Sequence, residues 1–174
     1  MGSVTETDAT SAKAPLAVLM CGVAGSGKTT YAQHLETRGY VRLSVDEEIW
    51  HRFGRYGVDY EPDEYARLSE VAEALVRQRL LDVLAQRRDV VVDLSLWRRA
   101  TREQYKRLVE DAGGRWKLVY MQVDPVVLRR RLDERAGRRD ANAAFPVTED
   151  VLAIYLSGFE VPHGEDEQII TVTS

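Results

Sequence analysis

Residues 22–29 read Gly22-Val23-Ala24-Gly25-Ser26-Gly27-Lys28-Thr29, which fits G-x-x-x-x-G-K-[ST] once in the chain. Average residue usage produces this pattern by chance in roughly one chain in a hundred of this length, or fewer. An apolar run of strand length, Leu16–Cys21, precedes it and a helical period follows, as the chemistry of such a loop demands. The glycines permit backbone angles that turn successive N–H groups inward around a phosphate. The positive end of the next helix adds to that attraction. Lys28 can reach the β- and γ-phosphates of a nucleotide, and the Thr29 hydroxyl can ligate Mg²⁺. Gly22, Val23, Ala24, Gly25, Ser26, Gly27, Lys28, Thr29 and Thr30 are therefore the expected phosphate-binding residues.

The rest of the chain keeps the same alternation. Apolar segments at Leu16–Cys21, Val41–Ser44, Asp89–Leu94, Lys117–Val123 and Ile169–Val172 read as strands. Helical periods fall at Lys28–Arg38, Asp46–Phe53, Asp63–Gln86, Thr101–Ala112, Asp124–Arg135 and Thr148–Ser157. Gly39 closes the first helix, and Asp124-Pro125 is an N-cap followed by Pro at the first helical position. Strands alternating with helices of 10–20 residues imply a mostly parallel sheet covered on both faces, an α/β fold of three layers. Met1–Ala14 lacks periodicity and reads as a disordered tail, leaving 15–174 as a single domain.

The length of 174 residues suits one domain with a core of its own. A net charge of −4 speaks against a chain built to blanket nucleic acid. The excess of 20 Arg over 4 Lys is a bias of composition. No apolar run approaches the length of a membrane span. With Cys21 alone, no internal disulfide can form, and with no signal peptide recognisable the expected compartment is a reducing cytoplasm.

With the loop and this alternation in place, the sequence resembles the small P-loop kinases, a group that includes nucleoside and nucleotide kinases, polynucleotide 5′-kinases and zeta-toxin-like kinases. The resemblance spans most of residues 15–172, and its one specific motif is the phosphate loop. It implies a P-loop NTPase/kinase fold with a central five-stranded parallel sheet and a small lid near 135–147. It also implies transfer of the ATP γ-phosphate to an acceptor. An N-K-x-D guanine-reading motif is not found in the sequence. Val90-Val91-Val92-Asp93 is followed by Leu94, not by the Glu that ring-forming ATPases use to activate water. A donor site of this kind favours transfer over hydrolysis.

Asp93 ends an apolar strand at the carboxyl edge, where ligands bind in open α/β sheets, and is expected to support Mg²⁺ through water. Asp46 follows the second strand. In similar kinases an Asp there accepts the proton of the acceptor hydroxyl, so Asp46 is the expected base, and it is also a natural helix N-cap. Polynucleotide and zeta-toxin kinases often carry Arg three residues later; that position is Ile49 here, with Arg52 one turn on. Val127–Arg139 resembles the helix that enters a kinase lid. Arg131 and Arg135, four apart, share a face and are expected to neutralise charge on the transferring phosphoryl group. Arg138 and Arg139 are further candidates, while Arg129 and Arg130 are expected at the surface.

Trp50, His51, Phe53, Tyr56 and Tyr60 cluster where such folds cover the acceptor, and Trp97 with Arg98 and Arg99 could form the opposite wall, although aromatics at helical spacing more often belong to a core. The function expected is an ATP- and Mg²⁺-dependent kinase acting on a hydroxyl of a small molecule: a metabolite, a nucleoside or an antibiotic. Its alternatives are a polynucleotide 5′-hydroxyl or zeta-toxin-like kinase, and an ATP-binding regulatory module without transfer.

Overall fold

The structure, a computed structural model, describes residues 13–138, 141 and 147–174. Most of the expected tail, and residues 139, 140 and 142–146 of the expected lid, lie outside the described residues.

Five strands form one parallel sheet: β1 (Leu16–Cys21), β2 (Val41–Ser44), β3 (Val90–Asp93), β4 (Arg115–Val123) and β5 (Glu167–Val172), in the order β2-β3-β1-β4-β5. Among the described residues six helices accompany them: α1 (Lys28–Thr37), α2 (Val45–Phe53), α3 (Tyr65–Ala85), α4 (Arg99–Asp111), α5 (Pro125–Ala136) and α6 (Glu149–Gly158). A 3₁₀ turn at Pro62–Glu64 leads into α3.

Alternation along β1 sorts the core into two layers, because successive side chains leave a strand on opposite faces. Ala17, Leu19 and Cys21 pack with Leu80 and Leu84 of α3 and with Tyr105 and Val109 of α4. Val18 and Met20 pack with Ala32 and Leu35 of α1. Both faces are covered, so β1 carries buried side chains from Ala17 to Cys21. A buried ion pair fastens the segment before β5 to α4: Arg102 donates Nε and Nη2 to Glu165 at 2.8 and 2.7 Å, and Nη1 to the Leu96 carbonyl at 2.9 Å.

The aromatic cluster, a candidate cover for an acceptor, is mostly core, as its helical spacing favours. Tyr60, with Phe53, Tyr56 and Tyr65 against it, packs on Ile49, Leu68 and Ala72 between α2 and α3. Tyr56 meets Tyr60 and Tyr65 edge to face, at centroid distances of 6.1 and 5.8 Å. This small second core fixes the angle at which α2 leaves the sheet. Among the described residues, no helix is long and apolar enough to cross a membrane.

Candidate active site

The loop 22–27 joins the central strand to α1, and its conformation explains its glycines. Gly27 caps α1 at φ 98°, in the left-handed region that glycine enters without a Cβ penalty. At Gly22 (φ 153°), a Cβ would stand 2.6 Å from Ser26 Oγ. The loop is held from both sides. Gly22 N–H donates to the Ser95 carbonyl at 3.0 Å, while Leu128 and Leu132 of α5 press against Gly25. Lys28, buried at the start of α1, donates Nζ to the Val23 carbonyl at 2.9 Å. Burial pulls its pKa down, and Asp93 and Asp46 push it back up.

A cavity of about 1070 Å³ opens over this loop. Ala24, Gly25, Gly27, Lys28, Thr29 and Thr30 line it, whereas Gly22, Val23 and Ser26 lie beneath as the loop's frame. Asp46, Asp93, Arg131, Arg135 and Arg138 line the same cavity, so the structure gathers the expected catalytic and metal residues around one space. Arg139 lies outside the described residues. Arg129 and Arg130 are exposed.

Asp93 ends β3 with its side chain 4% exposed, and Thr29 Oγ1 donates to its Oδ2 at 3.1 Å. This hydroxyl–carboxylate pair beside the phosphate loop has the hard oxygen chemistry that suits Mg²⁺. The same Oδ2 accepts two further bonds that sequence reading missed, from Arg42 Nε at 3.1 Å and Nη2 at 2.8 Å. Arg42 also reaches Glu47 Oε1 at 2.5 Å. Strand register explains the encounter. Ser44 pairs with Asp93 across β2 and β3, and Arg42, two residues earlier, leaves β2 on the same face. Without the strand order, an Arg in a four-residue strand gives no signal of this.

The N-cap of α2 falls on Ser44, whose Oγ accepts the Glu47 N–H at 3.3 Å. The cap expected at Asp46 is thus moved two residues back, and Asp46 lies inside the first turn, half-buried on the cavity wall. Burial raises its pKa and Asp93 adds to the rise, against the pull of Arg135, Lys28 and Arg42. A carboxylate whose proton affinity is raised inside a cleft is suited to accept a proton near neutral pH.

Arg131 and Arg135 arrive from α5, which Leu128 and Leu132 seat against the loop. Arg131 Nη1 donates to the Gly25 carbonyl at 3.3 Å, and Nη2 reaches the Ser174 carbonyl. Arg135 Nε is buried with no hydrogen-bond partner, an unsatisfied donor that a phosphate oxygen would relieve.

On the far side, none of Trp50, His51, Phe53, Tyr56 and Tyr60 is among the described lining residues. Tyr65, Ser69 and Glu73, a stripe at four-residue spacing on α3, line the cavity together with Trp97 and Thr101. The i, i+4 spacing on α3 was visible in the sequence, but polar residues on a long helix read as its solvent face. Trp97 keeps its expected position as a wall, with Arg98 4.9 Å above its ring.

A family profile described as an AAA domain matches residues 18–162. The chain belongs to this family. No curated protein matches this AAA-domain chain. Its fold recurs in solved structures of low sequence identity. A Chloroflexus aurantiacus protein provisionally called a kinase superposes with a TM-score of 0.69 at 18% identity, covering 92% of this chain and 89% of that one. A gluconokinase from Sinorhizobium meliloti gives 0.57 at 21% identity, covering 92% and 83%. The APS kinase of Mycobacterium tuberculosis, in complex with AMPPNP and APS, gives 0.53 at 18% identity, covering 91% and 89%. The AAA-domain chain therefore shares the fold of these proteins, with the expected five-stranded parallel sheet and helices on both faces.

Proposed function

We propose that this protein is an ATP-dependent kinase that phosphorylates a hydroxyl group of a small molecule. The observation that carries the reading is the placement of Asp46 on the wall of the cavity that holds Lys28 and the phosphate loop. A half-buried carboxylate on that wall stands where it could accept the proton of an acceptor hydroxyl brought to the phosphates. Two proteins that share the fold are kinases by name, a gluconokinase and an APS kinase, which supports the reading.

In this mechanism the loop amides and Lys28 cradle the β- and γ-phosphates. Asp46 accepts the proton of the acceptor hydroxyl as its oxygen bonds to the γ-phosphorus. The bond from that phosphorus to the bridging oxygen breaks, and ADP leaves. Arg135, with Arg131 beside it, meets the charge on the transferring group. Mg²⁺, held by Thr29 and through water by Asp93, would neutralise charge on the phosphate oxygens. Trp97 and the α3 stripe of Tyr65, Ser69 and Glu73 form the acceptor's side of the cavity. A metabolite, nucleoside or antibiotic hydroxyl is the acceptor class, in a cytoplasmic setting.

The test is ADP release from Mg-ATP, with and without a pooled panel of hydroxylated metabolites, nucleosides and antibiotics. Asp46→Asn serves as control. Acceptor-stimulated release that disappears in the control, with a product one phosphate heavier, establishes the reading. Release stimulated only by polynucleotide 5′-ends moves the acceptor to nucleic acid. ATP binding without transfer to any acceptor class makes the protein a nucleotide-binding module instead.

A further inference from the structure

Among the described residues, Arg42 is a strongly buried cation of the site region that the scheme above leaves without a task. Its side chain is 3% exposed, and it spans two carboxylates: Asp93 on the metal side, and Glu47 in the first turn of α2, next to Asp46. Three donors converge on Asp93 Oδ2, namely Thr29 Oγ1, Arg42 Nε and Arg42 Nη2, at 3.1, 3.1 and 2.8 Å. A carboxylate oxygen offers about two lone pairs, so this one is fully taken. A cation could bind Oδ2 directly only after the guanidinium had left it. Leaving would give up two charge-assisted hydrogen bonds in a buried setting, a costly step.

We propose that Arg42 is a positioning residue that keeps the metal site closed to a free divalent ion and open only to one that arrives with nucleotide phosphates. The guanidinium cancels the charge of Asp93, so the protein's own oxygens hold a lone cation weakly. Phosphate oxygens on the loop supply the missing negative charge. The bridge to Glu47 has a second effect. It ties the first turn of α2, and with it Asp46, to the end of β3, so that metal-side and acceptor-side carboxylates share one anchor. The inference rests on the reading that Thr29 and Asp93 hold the nucleotide's metal ion.

The experiment is titration of the full chain with Mn²⁺, followed by electron paramagnetic resonance, with and without ADP. It needs no acceptor and no turnover. Wild type should bind Mn²⁺ weakly alone and much more tightly with ADP. Arg42→Gln should bind Mn²⁺ alone about tenfold tighter than wild type or better, because a unit positive charge is removed beside the site. Adding Asp93→Asn to that variant should abolish the gain. Glu47→Gln, which leaves Arg42 on Asp93 and removes a negative charge, should bind the ion no more tightly than wild type does.

A folded Arg42→Gln protein that binds Mn²⁺ no more tightly than wild type overturns the proposal, as does a gain that survives Asp93→Asn. Should Arg42→Gln fail to fold, Arg42→Lys keeps the charge and loses the fork. Lone-ion binding in the Lys variant should stay as weak as wild type, and tight binding there overturns the proposal. A wild-type protein that binds no nucleotide in the ADP arm instead overturns the kinase reading beneath it.

Discussion

Arg102 and Glu165 meet in a two-pronged ion pair with both side chains 1% exposed, although 63 positions separate them in the chain. Lys106 adds a bond to the Glu165 carbonyl at 3.1 Å, and Arg102 also secures the Leu96 carbonyl of the loop behind the site. Removing one member of a buried pair leaves the other as an uncompensated charge. Arg102→Ala should therefore lower unfolding free energy by about 3–5 kcal/mol, read from urea titrations at neutral pH.

The same pair gives an acid limb. The Arg102 hydrogen bonds hold the Glu165 carboxyl below the usual range, ahead of the opposing effect of burial. A depressed carboxylate contributes stability that is present above its unfolded pKa and lost as pH falls through the folded value. Glu165→Gln should flatten the decline in melting temperature below about pH 4.5. An unchanged acid limb would mean that other carboxylates dominate it.

Lys28→Ala should reduce kcat/KM by roughly a hundredfold or more, the usual loss when one preorganised charge donor to the transferring group is removed. Once an acceptor is known, steady-state rates on that variant decide the matter. A variant with more than half of wild-type turnover would contradict the donor-site assignment.

Asp46 should set the low-pH side of the rate profile. Its proton affinity is raised by burial, so activity should rise with pH through a midpoint above that of an ordinary carboxylate and then level off. Stability runs the other way. A carboxyl whose folded pKa is raised favours the native state at low pH, and the benefit is lost as pH rises through the folded value. Asp46→Asn should hence abolish transfer while raising the melting temperature at pH 7, with the difference from wild type vanishing near pH 4. A melting temperature at pH 7 that drops in the Asn variant would show that the carboxylate is satisfied where it stands.

Cys21 should be inert in the native protein. It is fully buried in β1, donates Sγ to the Leu96 carbonyl at 3.4 Å, and burial pushes its thiol pKa up to about 11. Thiol reagents at pH 8 should label it only at the rate of unfolding, and label it at once in urea.

Much of this was legible because the signals were local. The phosphate loop announces itself by spacing, and β1 and β2 have the bounds that their apolar runs suggest. Asp124 and Pro125 open α5 as caps do, with Asp124 Oδ1 accepting the Val126 N–H at 2.8 Å. The acceptor side was less legible, because aromatic residues serve a pocket or a core, and at helical spacing more often a core. Tyr56 and Tyr60 went to the packing of α2 on α3, and the wall fell to polar residues of α3. Arg42 was invisible for a different reason. Its meaning depends on β2 lying beside β3 in a given register, and no single segment carries that information. The N-cap of α2 was displaced to Ser44, since Ser and Asp compete for such positions with similar strength.

The sheet order puts β1 between β3 and β4, so the strand that ends in the phosphate loop is laddered on both sides while β2 and β5 stand at the rims. Fraying begins at rims. Backbone amides of β1 should be among the last to exchange with deuterated solvent, and a molecule that has shed β2 and α2 could still grip a phosphate. In the proposed kinase reaction, nucleotide capture would thus rest on the most enclosed strand, and the proton-accepting Asp46 on the helix that follows a rim strand.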